Sequence, residues 1–290
     1  MPKVVSTVLK QLAAGEFPSV HPHHTFLYPF ENRVRMQIAA AHARLALNNV
    51  KSLRQVPYDF AHLRAQGLGF GRRIRVGYVS SDFCDHPTAH LMQSVPELHD
   101  RRSFEVFCYA LCPNDGSTYH AKIAMGAEHF VDLSAHSALE RADRVYHDGI
   151  HILINLNGYT RGACTEMFAL RPAPVQTMWL GFPGTSGSTY MDYIISDLVT
   201  SPPELWEDGF SEKVRPDSHA HSADHLFRAR ARPRQCNPHL IHLPAHTRHI
   251  FTSCMSSSFV PPRSLPKKLS RDMHPLLHLP PSLTIHPLSV

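Results

Sequence analysis

The 290-residue sequence has no long uncharged apolar run, no Cys-x-x-Cys pair and no glycine loop followed by Lys-Ser/Thr. The first absence argues against a membrane-spanning helix. The opening MPKVVSTVLKQLAAGE is also not a secretion signal, because Val5, Val8, Leu9 and Leu12 fall on one stripe of an amphipathic helix. The expected location is cytoplasmic and/or nuclear. Six cysteines, Cys84, Cys108, Cys112, Cys164, Cys236 and Cys254, show no zinc-ligand spacing. Without a secretion signal they are expected to be reduced thiols, with Cys108 and Cys112 packed inertly in or beside a strand. The missing Lys-Ser/Thr removes the phosphate loop of nucleotide triphosphatases as a reading of Gly181, Gly184 and Gly187.

Charge is also lacking where the formal total of +5 implies it. Residues 1–213 carry 19 basic and 21 acidic side chains, whereas residues 214–290 carry ten Lys and Arg against three Asp. Basicity therefore belongs to the tail. That tail has no Gly and no Glu, holds 11 of the 24 prolines and 10 of the 23 histidines, and keeps no helical or strand period. Disorder is the expectation for it. Its Arg228 to Arg234 cluster lacks the aromatic platform of a nucleic-acid reader, and its dispersed histidines define no metal site.

The 43% of apolar residues suffices for a substantial core. After the first helix and the loop Phe17 to Phe30, helical spacing runs from Arg33 to Asn49. A Pro- and Gly-containing connection from Val56 to Arg72 then leads to a strand at Ile74. Further strand-like runs at 104–111, 129–133, 150–156, 175–180 and 193–196 alternate with helical patterns near 90–100, 119–126, 137–147 and 163–170. Such alternation predicts an α/β fold, a doubly wound, mostly parallel, Rossmann-like sheet preceded by two helices. There is no repeat of a helical-array type.

The segment Ile74 to His90, IRVGYVSSDFCDHPTAH, carries most of the chemistry. Ile74, Val76 and Tyr78 alternate with Arg75 and Gly77, which predicts a half-buried strand with Asp82 at its tip. Thr88 is a candidate cap for the following helix, and a helix N-terminus favours an anion. On these residues alone, Asp82 and Thr88 could simply tie down a strand-to-helix turn. His86 and His90 beside an acid supply groups that move protons near neutral pH. His21, His23 and His24 in HPHH read, by themselves, as solvated imidazoles, since no carboxylate or cysteine stands at ligand spacing. His151 at a strand start reads as a hydrogen-bonded strand-end residue. Asn155, Asn157, Gly158, Tyr159 and Thr160 end a strand in a polar turn on the ligand side of such a sheet.

Long blocks in one order, SVHPHHTFLYPF (19–30), RVGYVSSDF and HPTAHLMQS (75–94), FEVFCYAL (104–111), DGIHILINLNGYT (148–160) and LRPAPVQTMWLGFPGTSG (170–187), resemble the amino-terminal catalytic lobe of the protein O-linked N-acetylglucosamine transferases. These are inverting GT-B glycosyltransferases that use UDP-GlcNAc, and the resemblance runs from about Val5 to Lys213. It implies His23 as a candidate general base toward a Ser or Thr hydroxyl, with Asp82 as the rival. It places His86, Pro87 and Thr88 on the sugar-phosphate side of the donor pocket and Leu180 with Gly181 on its far wall, while His90 is either a substrate-binding candidate or a structural hydrogen-bonding residue. It implies no cofactor or metal, protein Ser/Thr acceptors and a UDP-sugar as partners, and neither nucleic acid nor membrane. One departure is Cys164, where family members commonly carry an arginine.

The expected organisation is residues 1–72 as N-terminal helices and His-rich loop, 73–213 as an incomplete Rossmann-like catalytic lobe, and 214–290 as a disordered Pro/His-rich tail. Family likeness stops abruptly after Lys213, so the tail is expected to be an out-of-frame or intron-derived reading. The expected function is that of a fragment of a protein O-GlcNAc transferase, inactive alone because the nucleotide-binding lobe is missing. Two alternatives stand beside it: a non-catalytic interaction module, or a protein O-fucosyltransferase using GDP-fucose.

Overall fold

The computed structural model describes residues 2–66 and 72–216. Seven strands form one sheet in the order β3-β2-β1-β4-β5-β6-β7. They are β1 (Ile74–Ser80), β2 (Phe104–Ala110), β3 (His129–Asp132), β4 (Ile152–Asn155), β5 (Val175–Trp179), β6 (Tyr193–Ser196) and β7 (Lys213–Pro216). Every adjacent pair is parallel. The chain winds outward from β1 through β2 to β3, then returns to place β4 on the other side of β1. This reversal is the switch point of a doubly wound sheet, as the alternating pattern predicts.

Helices cover both faces. They are α1 (Pro2–Ala13), α2 (Asn32–Val50), α3 (Ala61–Gln66), α4 (Pro87–Met92), α5 (Thr118–Gly126), α6 (Ala138–His147), α7 (Thr165–Ala169) and α8 (Trp206–Gly209). One apolar cluster joins Val79, Phe107, Tyr109 and Leu153 to Ala43 and Ala46 of α2, Ala142 and Val145 of α6, and Met167 and Phe168 of α7. The opposite cluster joins Val76, Tyr78, Val106, Cys108, Ile152 and Ile154 to Ala89 and Met92 of α4 and Ile123 of α5. Alternate residues of each central strand thus enter opposite cores. A smaller cluster, Val8, Val20, Phe30 and Ile38, fastens α1 and the Phe17–Phe30 loop to α2.

Four expectations are corrected. β1 is not half-buried: Val76 through Ser80 are all buried, because a central parallel strand is covered on both faces. Gly77 fits that crowding, since a Cβ there would lie 2.9 Å from the Tyr109 ring. The helix expected near 90–100 stops at Met92 and is followed by a short 3-10 turn at Pro96–Leu98, as Pro96 has no N–H to continue the ladder. The connection before β1 contains α3, whose six residues were too short to announce themselves. Cys112 is only half-buried, unlike the fully buried Cys108.

Other elements follow their local signals closely. Ser137 and Glu140 form the reciprocal capping box that starts α6. β7 departs from the expectation of disorder from residue 214: pairing with β6 carries the ladder three residues past Lys213, with Ile194 opposite Val214 and Ser196 opposite Pro216. A proline is tolerated there because β7 is the sheet's edge among the described residues. The remainder of the expected tail, including the Arg228 to Arg234 cluster, Cys236 and Cys254, lies outside the described residues. No helix among the described residues is long and apolar enough to cross a membrane.

Candidate active site

Polar residues gather at the carboxyl ends of β1, β4 and β5, around the switch point. Asp82 follows β1 and is only 8% exposed. Its carboxylate accepts a 2.7 Å hydrogen bond from Asn157 Nδ2 and a 3.1 Å bond from Ser81 Oγ. Its own N–H donates to Ser80 Oγ at 3.0 Å. Asn157 also receives the Ser81 N–H at 2.8 Å and donates to Thr160 Oγ1 at 3.1 Å. In turn, Asn155 Oδ1 accepts the N–H groups of Asn157 and Gly158, both at 2.9 Å. Gly158 sits at φ +55°, and a Cβ there would lie 2.5 Å from Phe182 Cβ. Asp82 is therefore a fixed carboxylate held from two adjacent strand tips.

His86 stands beside it, with Nδ1 3.7 Å from Asp82 Oδ2. That same Nδ1 accepts the Thr88 N–H at 3.2 Å and so caps α4. A nitrogen that accepts this bond carries no proton, so the capped imidazole is the neutral Nε2–H tautomer. This corrects the expectation that Thr88 is the cap: Thr88 is the second residue of the helix, after Pro87, and donates to the histidine.

Thr88 is buried and faces the loop after β5. A Cβ on Gly181 would lie 3.6 Å from Thr88 Oγ1 and only 1.8 Å from the Leu156 carbonyl oxygen. Only glycine allows that backbone approach. Leu180 takes a left-handed φ of +69°, and the Gly181 N–H closes a three-residue turn onto Trp179 O at 3.0 Å. A non-glycine residue in that region is strained. Thr88 and the Leu180-Gly181 turn, assigned by the resemblance to opposite sides of a donor pocket, therefore lie against one another.

The HPHH segment folds as a 3-10 turn, Pro22–Leu27. The exposed His23 ring lies 6.3 Å from that of Phe182, the residue after Gly181, and Phe26 lies 5.8 Å from the same ring. The turn is thus laid over the far-wall loop. His90 is placed differently: its Nε2 bonds Asp85 Oδ1 at 2.8 Å and its ring lies 4.0 Å from Tyr119 of α5. His151 is the strand-end residue expected, its Nδ1 accepting the Arg75 N–H at 3.0 Å, and burial holds its pKa below the ordinary value. Burial likewise raises the Cys84 thiol and pushes that of Cys112 up to about 11.

Asn157 is the residue whose role the sequence left unassigned. The signal was present in the two polar strand tips, Ser81-Asp82 and Asn155-Leu156-Asn157, but their adjacency depends on β1 pairing with β4. Among the described residues no group of three or more His, Cys, Asp or Glu side chains could hold a metal ion. Cys164 is buried at the start of α7 and gives that helix no side-chain cap.

Comparison with known proteins gives concordant results. A model of glycosyl transferase family 41 matches residues 1–227. The chain is 53% identical over 213 residues to a UDP-N-acetylglucosamine--peptide N-acetylglucosaminyltransferase of Caenorhabditis elegans, covering 73% of this chain and 18% of that protein. A probable enzyme of the same name from Arabidopsis thaliana is 43% identical over 201 residues, covering 69% of this chain and 21% of that protein. The chain thus spans about a fifth of the length of these relatives. Among solved structures, a point mutant of the Thermobaculum terrenum O-GlcNAc transferase superposes with a TM-score of 0.51 at 26% identity, covering 74% of this chain and 42% of that one.

Proposed function

This chain belongs to glycosyl transferase family 41, and from that premise we propose that it supplies one wall of a protein O-GlcNAc transferase site. On this reading N-acetylglucosamine passes from UDP-GlcNAc to a Ser or Thr hydroxyl of a protein with inversion at the anomeric carbon. The observation that carries the reading is the convergence of Asp82, His86, Thr88 and Gly181 at the switch point, with the His23 turn laid over the same loop.

The chemistry requires a base, an attacking oxygen and stabilisation of a departing diphosphate. His23 is exposed and takes the hydroxyl proton as the oxygen attacks the anomeric carbon. The bond from that carbon to the diphosphate oxygen breaks, and UDP leaves with the electron pair. Asp82 is less suited to be the base, because Asn157 and Ser81 already bond its carboxylate. His86 is oriented by the Thr88 N–H on its Nδ1, and its Nε2–H, with Thr88 Oγ1, donates toward the developing negative charge. Glycine at 181 lets the far-wall backbone approach the Leu156 carbonyl closely.

In the resembled enzymes a second lobe holds uracil, ribose and much of the diphosphate. The described residues correspond to the sugar-facing side, so the 290-residue polypeptide by itself is expected to turn over UDP-GlcNAc slowly or not at all. A cytoplasmic or nuclear location belongs to the same proposal. Calorimetry of UDP-GlcNAc with the 290-residue chain, and with a version extended through a second lobe, tests it. Binding by the extended form alone is expected; tight binding and peptide glycosylation by the 290-residue chain would overturn the division of labour.

A further inference from the structure

Two segments at the site share one construction. In His21-Pro22-His23 and His86-Pro87-Thr88, an extended histidine precedes a proline at the first helical position. In each, the imidazole Nδ1 accepts the N–H of the residue two positions on, at 3.4 Å for His23 and 3.2 Å for Thr88. Proline has no N–H and a fixed φ, so the next residue carries the first donor the turn leaves unsatisfied. An imidazole substitutes here for the usual Ser or Asp cap.

His86 already touches Asp82, but His21 has no part in the proposed chemistry. Its ring lies edge-on to His42 of α2 at 5.1 Å, to Tyr159 at 6.0 Å and to His24 at 5.9 Å. Tyr159 is itself pinned, its Oη donating to Ala39 O at 3.0 Å and Ser186 O at 2.7 Å. The cap is thereby attached to the helix and loop that frame the site.

We infer that His21 is a positioning residue: its unprotonated Nδ1 holds the turn that presents His23, with His42 and Tyr159 bracing the ring. The inference rests on the reading of His23 as a site residue. The titratable groups facing His21 are His23 and His24 on its own turn, His42 from α2 and Tyr159 from the loop after β4. None is an acid. Desolvation of the packed side, then His24 and His23, hold His21 below its ordinary value, and His42 stays neutral with a pKa near 4. Acid converts Nδ1 from acceptor to donor and releases the cap.

The test is NMR of the 290-residue chain with labelled histidine, alongside His21→Asn and His21→Ala. Imidazole 15N shifts read the His21 tautomer, and the His23 amide reads the cap. At neutral pH a bare His21 Nδ1 is expected, with the His23 amide shifting as pH falls through the His21 titration. In His21→Asn, which keeps an acceptor but does not titrate, that pH step should vanish. In His21→Ala the His23 amide should exchange about 2- to 30-fold faster, the range for loss of an N-cap. A proton on Nδ1 at pH 7, an unchanged His23 amide in a folded His21→Ala, or a retained pH step in His21→Asn would each overturn the inference. None of these readouts involves sugar transfer, so failure of His23 as the base shows separately, as full transferase activity in a His23→Ala version of the second-lobe-extended protein.

Discussion

Mild acid should destabilise this lobe through one buried and one half-buried imidazole before most of its carboxylates protonate. His99 is buried, with Nε2 2.8 Å from Tyr78 Oη and its ring 5.5 Å from Phe104. Desolvation, then the Arg101 charge, lower its pKa to about 4. His42 reaches about 4 through desolvation, then His21. Both folded values lie below the unfolded value of about 6.5, so the stability is present above pH 6.5 and lost as pH falls toward 4. Between pH 7 and pH 5 the buried His99 should cost about 2 kcal/mol, and the half-buried His42 less, because solvent screens it. His99 alone thus removes about 2 kcal/mol from a typical domain stability of about 5–15 kcal/mol. Urea unfolding at the two pH values, followed by fluorescence of Trp179 and Trp206, measures this. In His99→Gln the loss over the window should shrink by about 2 kcal/mol, whatever the variant's absolute stability, because the carboxylates common to both proteins cancel. Equal losses in the two proteins would refute the assignment.

Other outcomes follow from single contacts. Asn157→Ala leaves the Asp82 carboxylate without its 2.7 Å donor and should cost about 1–3 kcal/mol in chemical denaturation. Gly181→Ala drives a Cβ into the Leu156 carbonyl, so a sharply lower melting temperature or loss of soluble protein is expected by scanning fluorimetry. Ser137→Ala removes the α6 capping box and should lower stability by about 1 kcal/mol in urea, with UDP-GlcNAc binding by the second-lobe-extended protein unchanged.

The site was unevenly legible. Asp82 at a strand tip was visible as a residue, as were Thr88 and Leu180 with Gly181, and the last three ended close together. Which atom caps α4 was not, because Thr88 and His86 both offer an acceptor and only the φ and ψ of each decides. His90 and His86 looked alike in sequence, yet one is held by Asp85 and Tyr119 while the other reaches Asp82.

What the sequence by itself determined is local: strand spans within a few residues at β2, β3, β5 and β6, the ends of α2, α5 and α6, and the α/β alternation. These follow from side-chain periodicity and caps acting over a few residues. Only the tertiary structure decided that β1 is buried on both faces, that Asn157 meets Asp82 from 75 residues away, and that the His23 turn rests on Phe182. Those facts depend on β4 returning to the far side of β1, a pairing between distant segments that no local pattern records.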